Sequence, residues 1–192
     1  MLEHRNNAMK EIIKIPAFMH TVDAYDVLTD VNDHWLRFAQ ENDASHLTRQ
    51  VVVGRPLWDF IAGREAPHLY KLLMWQVRQS QCRLVFTYRC DSPNFRRYMQ
   101  MEIVPLTHQG LEFRNYLLRT ESRDQVRLLD SAIGRNQELL MMCSWCNRVH
   151  YDSTWLSVED AVKTLGLFAL SELPQITHGI CPDCALSFKN LT

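Results

Sequence analysis

Two Cys-x-x-Cys pairs in the last 50 residues are the feature of this 192-residue sequence that most directly predicts chemistry. The pairs consist of Cys143, Cys146, Cys181 and Cys184. Thiolates are soft ligands that bind zinc in a tetrahedron, and each pair at this spacing can supply two of the four ligands. In a reducing compartment such pairs indicate a metal site before they indicate disulfides. We therefore predict one structural zinc ion (Zn²⁺) bound by all four cysteines.

The same cysteines leave other uses open. Each pair could cycle between dithiol and disulfide, which would make the chain a thiol-based redox sensor, and four thiolates could hold an iron–sulfur cluster. His178 lies three residues before Cys181 and could replace one thiolate. Its expected role is instead a hydrogen bond to a ligand or to the loop, because four thiolates already complete the site. Cys82 and Cys90 are expected to be small buried hydrophobic residues.

Turn and cap residues around the pairs predict the elements that hold them. Val149–Tyr151 is expected to form a hairpin that turns back at Trp155. Pro182 suits the first position of a helix, which places Cys181 at the cap and Cys184 in the first turn. Free N–H groups and the helix dipole favour thiolate there. This tail resembles a treble-clef zinc site. Such a site consists of a tight turn that contains the first cysteine pair (the knuckle), a hairpin, and a second cysteine pair at the start of a helix.

A further helix is predicted between the two pairs. Ser157 is its expected N-cap, and Asp160 lies three residues later, where an acidic side chain can complete the cap. The buried stripe of this helix is predicted to contain Ala161, Val162, Leu165 and Phe168. A tail of about 50 residues buries too little apolar surface to be stable alone, so a metal ion would stabilise it.

The first 120 residues predict two short strands, then helices, then three long strands. The short strands are Phe18–Val22 and Val27–Val31, and Asn32 or Asp33 suits the N-cap of the helix that follows. Pro67 suits the first position of a longer helix. That helix is expected to bury the stripe Leu69, Leu72, Leu73, Gln76 and Val77.

Apolar and polar residues alternate in three segments after residue 80, with the period of a half-buried strand. The segments are 84–90, 99–103 and 111–117. Short turns at residues 91–94 and 107–110 join them. Consecutive strands joined by short turns are expected to form an antiparallel meander.

This order of elements resembles a PAS domain, a small sensory module whose five-stranded sheet curls around helices. The resembling stretches are residues 30–39, 54–61 and 89–93. The tail contains the sequence His-Gly-Ile-Cys-Pro-Asp-Cys around its second cysteine pair. Taken together with this tail, most of residues 17–192 resembles a bacterial PAS-like family whose members end in a similar cysteine-rich tail. The resemblance implies an α+β fold: a PAS-like five-stranded antiparallel sheet with helices, followed by a small treble-clef-like zinc module. Where PAS domains often have a glycine between the first two strands, this chain has residues 24–26, Ala-Tyr-Asp.

Charge and composition change near residue 121. Residues 1–120 carry 15 Lys/Arg and 13 Asp/Glu, a net charge of +2, whereas residues 121–192 carry 6 and 9, a net charge of −3. The domains predicted from this change and from the motifs are an N-terminal extension (1–16), a PAS-like sensor domain (17–120), a polar linker (121–140) and a four-cysteine zinc-binding module (141–192).

Composition argues against several classes of function. The chain has 21 Lys+Arg and 22 Asp+Glu, and residues 143–192 hold three basic and five acidic residues, so nucleic-acid binding is not expected. No apolar run reaches the roughly 20 residues of a membrane span, and the N-terminus lacks an apolar signal-peptide core, which predicts a cytoplasmic protein. No phosphate loop or His-Glu-x-x-His motif is present, and four thiolates leave zinc no open position, so an enzyme is not expected.

The predicted function is that of a cytoplasmic signalling or regulatory protein with a PAS-like sensor or protein-interaction domain and a structural zinc site. A homodimer is expected because PAS-like domains commonly pair, with Ile12-Ile13-Lys14-Ile15 and the strand faces as candidate contacts. A protein partner or self-association would transmit the signal. The redox sensor described above is the first alternative.

The second alternative is a PAS-like sensor that binds haem or another small ligand. His68 lies at the start of the long helix, and haem-binding PAS domains take their axial histidine from the corresponding helix. An exposed or capping histidine is nevertheless the expected role at this position. A ligand pocket could be lined by Phe86, Tyr88, Met99, Met101 and Phe113, although close packing favours a filled core there.

Overall fold

Two β-sheets organise the chain in the computed structural model, which describes residues 18–42, 44–61 and 65–189. The α+β class predicted from the sequence is confirmed, with a five-stranded antiparallel sheet and a separate four-stranded sheet. The predicted extension 1–16 and its candidate dimer contact, Ile12-Ile13-Lys14-Ile15, lie outside the described residues.

The first sheet contains β1 (Phe18–Val22), β2 (Leu28–Val31), β3 (Leu84–Arg89), β4 (Phe95–Pro105) and β5 (Leu111–Ser122). Between β2 and β3 come α1 (Asp33–Glu41), α2 (Arg49–Val52), a 3-10 turn (Leu57–Phe60) and α3 (Glu65–Ser80). The second sheet contains β6 (Arg135–Cys143), β7 (Val149–Tyr151), β8 (Thr154–Leu156) and β9 (Leu173–Gly179). Its helices are α4 (Val158–Thr164), between β8 and β9, and α5 (Pro182–Lys189), after β9.

The first sheet has the strand order β2-β1-β5-β4-β3, and every neighbouring pair is antiparallel. The predicted first hairpin and three-stranded meander are both confirmed. In place of glycine, Asp26 adopts the left-handed conformation with φ 63°, which aspartate tolerates better than most residues. The carboxylate of Asp23 stabilises this turn by accepting hydrogen bonds from the N–H groups of Tyr25 (2.8 Å) and Val27 (2.9 Å).

The helices follow the sequence prediction with two corrections. Asn32 is the N-cap of α1, and its side chain accepts a hydrogen bond from the N–H of Trp35. Helix α3 begins at Glu65, so the prediction that Pro67 would occupy its first position is wrong. Leu72 is 44% exposed instead of buried. The face of α3 that contacts the sheet contains Leu73, Met74 and Val77.

The core of the first sheet lies under these helices. Its buried members are Val22, Leu28, Val31, Val52, Leu57, Leu73, Met74, Val77, Leu84, Phe86, Met101, Ile103, Leu111, Phe113 and Phe188. Phe86, Met101 and Phe113, three of the candidate pocket residues, are therefore part of a packed core. Phe188 comes from α5 at the far end of the chain, so the cysteine-rich tail contributes directly to this core.

The second sheet has the order β8-β7-β6-β9 and its own core. The buried residues of this core are Val126, Leu128, Leu140, Met142, Val149, Val158, Ala161, Leu167 and Leu173. The segment predicted as a linker, 121–140, thus supplies three of these side chains and six of the nine residues of β6. Strand β6 pairs in parallel with β9, a pairing that the sequence did not suggest.

Helix α4 begins as predicted but ends earlier. Ser157 is its N-cap and accepts a hydrogen bond from the N–H of Asp160 (3.1 Å). Gly166 adopts a left-handed conformation (φ 62°) that ends the helix. The residues after it therefore do not continue the buried face of α4. As a result Leu167 is buried and Phe168 is 66% exposed, and the prediction of Phe168 as a core residue is wrong.

Aromatic rings join the tail to the first sheet. The ring of Trp145, between the first two cysteines of the tail, lies 4.6 Å from Phe86 on β3 and 4.7 Å from Phe188 on α5, measured between centroids. The carbonyl of Trp145 also accepts a hydrogen bond from the N–H of Arg89 at 2.8 Å. The two sheets are therefore held together at the edge strand β3.

A partly buried ion-pair cluster forms the second connection between the sheets. Arg123, only 5% exposed, donates to Glu159 of α4 (2.8 Å) and to the fully buried Asp91 (3.2 Å). Each carboxylate has a second cation beside it: Arg89 lies 2.6 Å from Asp91, and Arg96 lies 2.9 Å from Glu159. Burial alone raises the pKa of Glu159, but the hydrogen bonds from Arg123 and Arg96 outweigh it and lower that pKa to about 2.

Replacement of Trp145 by alanine should weaken both parts of the protein together. The lost ring contacts with Phe86 and Phe188 should reduce the free energy of unfolding by about 3 kcal/mol. Trp75→Ala is the matched control, because this tryptophan is 63% exposed and its loss should cost less than about 0.5 kcal/mol. Denaturant unfolding monitored by circular dichroism measures both values. Equal losses in the two variants would contradict the packing described here.

Acid should weaken the ion-pair cluster in a defined pH range. The pKa of Glu159 is lower in the folded chain than its ordinary value of 4.5, so its stabilising contribution is present above that value. The contribution should be lost as the pH falls from about 4.5 to about 2. Glu159→Gln should therefore show a shallower loss of stability over this range than Glu138→Gln, which changes an exposed residue. Identical pH profiles for the two variants would contradict this account.

Candidate metal centre

Parallel pairing of β6 and β9 brings the two cysteine pairs to one edge of the second sheet. Met142 is opposite His178 and Cys143 is opposite Gly179 in the register. Parallel strands end at the same edge, so Cys143, the last residue of β6, lies beside the segment that leads from β9 to Cys181. The pairing therefore explains how two cysteine pairs that are separated by 34 intervening residues become neighbours.

The four sulfur atoms form one compact group. All of the Sγ atoms of Cys143, Cys146, Cys181 and Cys184 lie within 4.8 Å of one another. The Sγ atoms of Cys146 and Cys181 are 3.7 Å apart. Zinc–sulfur bonds of about 2.3 Å in a tetrahedron place neighbouring sulfurs about 3.8 Å apart, whereas a disulfide needs about 2.05 Å. The spacing therefore fits four ligands around one zinc ion, and all four thiols are free.

The first pair lies in a tight turn between β6 and β7. The N–H of Asn147 donates to the carbonyl of Cys143 (3.0 Å), and the N–H of Cys143 donates to the carbonyl of Arg148 (2.7 Å). Asn147 adopts a positive φ of 59°, which asparagine tolerates and which reverses the chain. The predicted hairpin β7–β8 follows, with His150 opposite Trp155. The turn directs the sulfurs of both cysteines toward the second pair.

The second pair lies at the start of α5, as the sequence predicts. Pro182 is the first residue of the helix, and the carbonyl of Cys181 accepts the N–H of Ala185 (2.9 Å). Cys184 lies in the first turn. The N–H of Cys181 donates to the Sγ of Cys143 at 3.4 Å, so a backbone dipole already points at a ligand sulfur. Such N–H groups stabilise thiolate charge.

Arg148 is a residue of the site that the sequence analysis did not identify. Its Nε lies 3.4 Å from the Sγ of Cys146, and its Nη2 lies 3.4 Å from the Sγ of Cys181. The same guanidinium donates to the carboxylate of Asp183 at 2.7 Å. Zinc with four thiolates has a net charge of −2, which Arg148 reduces by one unit. The sequence signal for this role was a basic residue two positions after the first Cys-x-x-Cys pair.

Burial and mutual hydrogen bonds shift the pKa values of the thiols in opposite directions. Hydrogen bonds from Cys143 and Cys184, with a further one from Arg148, lower the pKa of Cys146 well below its usual range. The hydrogen bond with Cys146 raises the pKa of Cys143, and the hydrogen bond with Cys143 raises that of Cys184. A divalent cation bound between the sulfurs would favour the ionised form of each thiol that it contacts.

The other candidate residues lie outside this group of ligand atoms. His178 is not among the close donor atoms, and burial lowers its pKa. His68 is exposed on α3. The prediction of Cys82 as a buried residue is wrong, because it lies exposed in the turn after α3, and Cys90 is half-buried. Within the described residues, the four tail cysteines are the group of at least three His, Cys, Asp or Glu side chains close enough to hold one metal ion.

Comparison with known proteins adds no relative to this picture. No protein-family model matches the chain, and no curated protein matches it. Among residues 18–42, 44–61 and 65–189, no helix is both long enough and apolar enough to cross a membrane.

We predict about one zinc ion per chain, and replacement of any one tail cysteine by serine should release it. Structural zinc is worth on the order of 10–16 kcal/mol in small domains, so residues 141–192 should lose their structure with the metal. Cys82→Ser is the control, because this exposed thiol lies outside the group and its loss should leave the zinc content unchanged. Metal analysis and circular dichroism of the purified variants measure both effects. A Cys143→Ser protein that stays folded with a full complement of zinc would contradict the assignment.

Proposed function

We propose that this chain is a cytoplasmic regulatory protein in which a PAS-like sensor or protein-interaction domain is held to its tail by a structural zinc ion. The observation that carries the proposal is the placement of Trp145 and Phe188. Both residues belong to the four-cysteine tail, yet they pack on Phe86 in the core of the five-stranded sheet. A metal that orders the tail would therefore also complete the core of the first domain.

The topology of the first sheet supports the PAS-like part of the proposal. Two N-terminal strands lie beside the last strand, the helices come between β2 and β3, and the remaining strands form a meander. This is the arrangement that the resemblance implies, in which a five-stranded sheet curls around helices. The support is topological, and the sensory role itself rests on the resemblance.

The chemistry of the cysteine group supports a structural metal. Cys143 and Cys181 are fully buried, and Cys184 is 9% exposed. Four thiolates fill the tetrahedron, and the site then has no open position for water or substrate. The turn at the first pair, the hairpin β7–β8 and the helix α5 support a treble-clef-like zinc module, to which this chain adds the parallel pairing of β6 with β9. We accordingly propose a non-enzymatic role.

The partner in this proposal is another protein or a second copy of the chain. The tail carries a net charge of −2 before any metal binds, and a zinc ion with four thiolates adds −2 more. Nucleic-acid phosphates would be repelled by such a surface. A homodimer remains a prediction.

One observation favours the redox alternative. Cys146 is only partly buried, and its sulfur lies 3.4 Å from the Arg148 guanidinium, an environment that stabilises a reactive thiolate. In that alternative, oxidation would join Cys146 to Cys143 and the metal would be absent or expelled. The two functions differ in how easily the tail thiols react.

Alkylation separates the zinc site from the redox alternative. In the zinc-bound protein the four tail cysteines should resist alkylation until a chelator is added, because the metal shares their charge. Cys82 serves as the internal control, since it is exposed and should be labelled at once. Mild peroxide should leave the four tail thiols intact. Reversible oxidation of Cys143 and Cys146 at low peroxide, with the first domain still folded, would contradict the structural role and support the redox sensor.

A further inference from the structure

Arg148 joins the two cysteine pairs of the tail. Its Nε lies 3.4 Å from the Sγ of Cys146 in the first pair, and its Nη2 lies 3.4 Å from the Sγ of Cys181 in the second pair. The backbone carbonyl of Arg148 also accepts a hydrogen bond from the N–H of Cys143 at 2.7 Å. One residue therefore contacts three of the four predicted ligands and spans both pairs.

Asp183 orients this guanidinium. Its carboxylate accepts a hydrogen bond from the Nη2 of Arg148 at 2.7 Å, and the residue lies at the start of α5, between the two cysteines of the second pair. A guanidinium is a planar fork whose N–H groups point in fixed directions, so a bond on one side orients the others. The ion pair is exposed, with side chains 34% and 75% accessible, and exposed pairs contribute little to stability. Its effect is therefore expected on the sulfurs and not on the fold.

The guanidinium lies beside the most accessible sulfur of the group. Cys143 and Cys181 are fully buried and Cys184 is 9% exposed, whereas Cys146 is half-buried. Cavities of about 690 and 190 Å³ border the group, and Cys146 is in the walls of both. A competing ligand that enters through either cavity can reach Cys146, the sulfur that the Nε of Arg148 contacts.

Charge and hydrogen bonding both favour retention of a metal here. Zinc with four thiolates has a net charge of −2, and a cation in contact with two of the sulfurs offsets half of it. N–H groups that donate to a thiolate stabilise its negative charge, which makes the sulfur less attractive to protons that compete with the metal. We propose that Arg148, oriented by Asp183, is a positioning residue that keeps zinc in the tail and controls how readily the metal leaves.

This inference names the regulation of the proposed zinc site and rests on that proposed function. The two can fail separately. Absence of metal from the wild-type protein would reject the proposed function and this inference with it. A wild-type protein that holds zinc, together with an arginine variant that holds it equally well, would reject this inference alone.

Competition between the full-length, zinc-containing protein and a chromophoric zinc chelator tests the proposal. Arg148→Met keeps the aliphatic length of the side chain and removes its charge and its donors. The zinc affinity should fall by about tenfold or more, as is typical when a partner of a metal ligand is lost, and zinc should pass to the chelator correspondingly faster. Asp183→Asn should show a smaller loss in the same direction. Unchanged affinity and unchanged transfer rate in Arg148→Met would overturn the proposal.

Lys163→Met is the matched control. It removes one positive charge from the same tail, at an exposed position on α4, and should leave the affinity for zinc and the transfer rate unchanged. A loss in Lys163→Met equal to that in Arg148→Met would mean that overall charge, and not the contacts of Arg148, holds the metal. That result would also overturn the proposal.

Two further measurements separate positioning from a merely structural role. Arg148→Lys should restore part of the affinity, because an ammonium keeps the charge but lacks the planar fork that reaches both sulfurs and the carboxylate. The absorption spectrum of cobalt-substituted Arg148→Met should remain that of four sulfur ligands in a tetrahedron, since no ligand has changed. A spectrum with fewer sulfur ligands, or an Arg148→Lys protein that binds zinc no better than Arg148→Met, would overturn the assignment.

Discussion

Four cysteine sulfurs within 4.8 Å of one another are the constraint on which the rest of the tail depends. Four thiolates repel at this distance, so the group is stable only if protons or a cation neutralise it. The protein supplies one guanidinium, that of Arg148, and a small number of N–H donors. These partners do not balance four negative charges. A divalent cation would therefore stabilise the ionised form of the group, and the sulfur spacing is compatible with the size of a zinc tetrahedron.

The metal would order more than the loop that binds it. The turn at the first cysteine pair carries Trp145 and the helix at the second pair carries Phe188, and both rings meet Phe86 on the edge strand β3. The four-cysteine group and the core of the first sheet are thus connected through three aromatic side chains. The ion-pair cluster around Arg123 adds a polar connection between the same two regions. Loss of the metal is therefore expected to affect the first domain as well as the tail.

Local patterns in the sequence identified the parts of this structure that depend on neighbouring residues. The Cys-x-x-Cys pairs, the N-cap at Asn32, the cap at Ser157 and the alternation in β3 and β5 all act within a few residues. Strand β9 was missed because its sequence, Leu-Pro-Gln-Ile-Thr-His-Gly, has no clear alternation and is defined by long-range pairing with β6. Leu72 is exposed because α3 packs on the sheet through Leu73, Met74 and Val77. Phe168 is exposed because the left-handed Gly166 ends α4 before this residue.

The site was likewise predictable in its ligands but not in its surroundings. Spacing alone identified four sulfurs, whereas the contacts of Arg148 with Cys181 and Asp183 depend on how distant segments meet.

X-ray absorption at the zinc edge, on full-length protein purified without added metal, tests the central claim most directly. The account predicts one zinc ion per chain with four sulfur neighbours at about 2.3 Å and no nitrogen or oxygen neighbour. A coordination of three sulfurs and one nitrogen would mean that a histidine replaces one of the four cysteines. A folded protein that contains no zinc, or zinc bound mainly by oxygen, would contradict the claim that a four-cysteine metal site holds the tail in place.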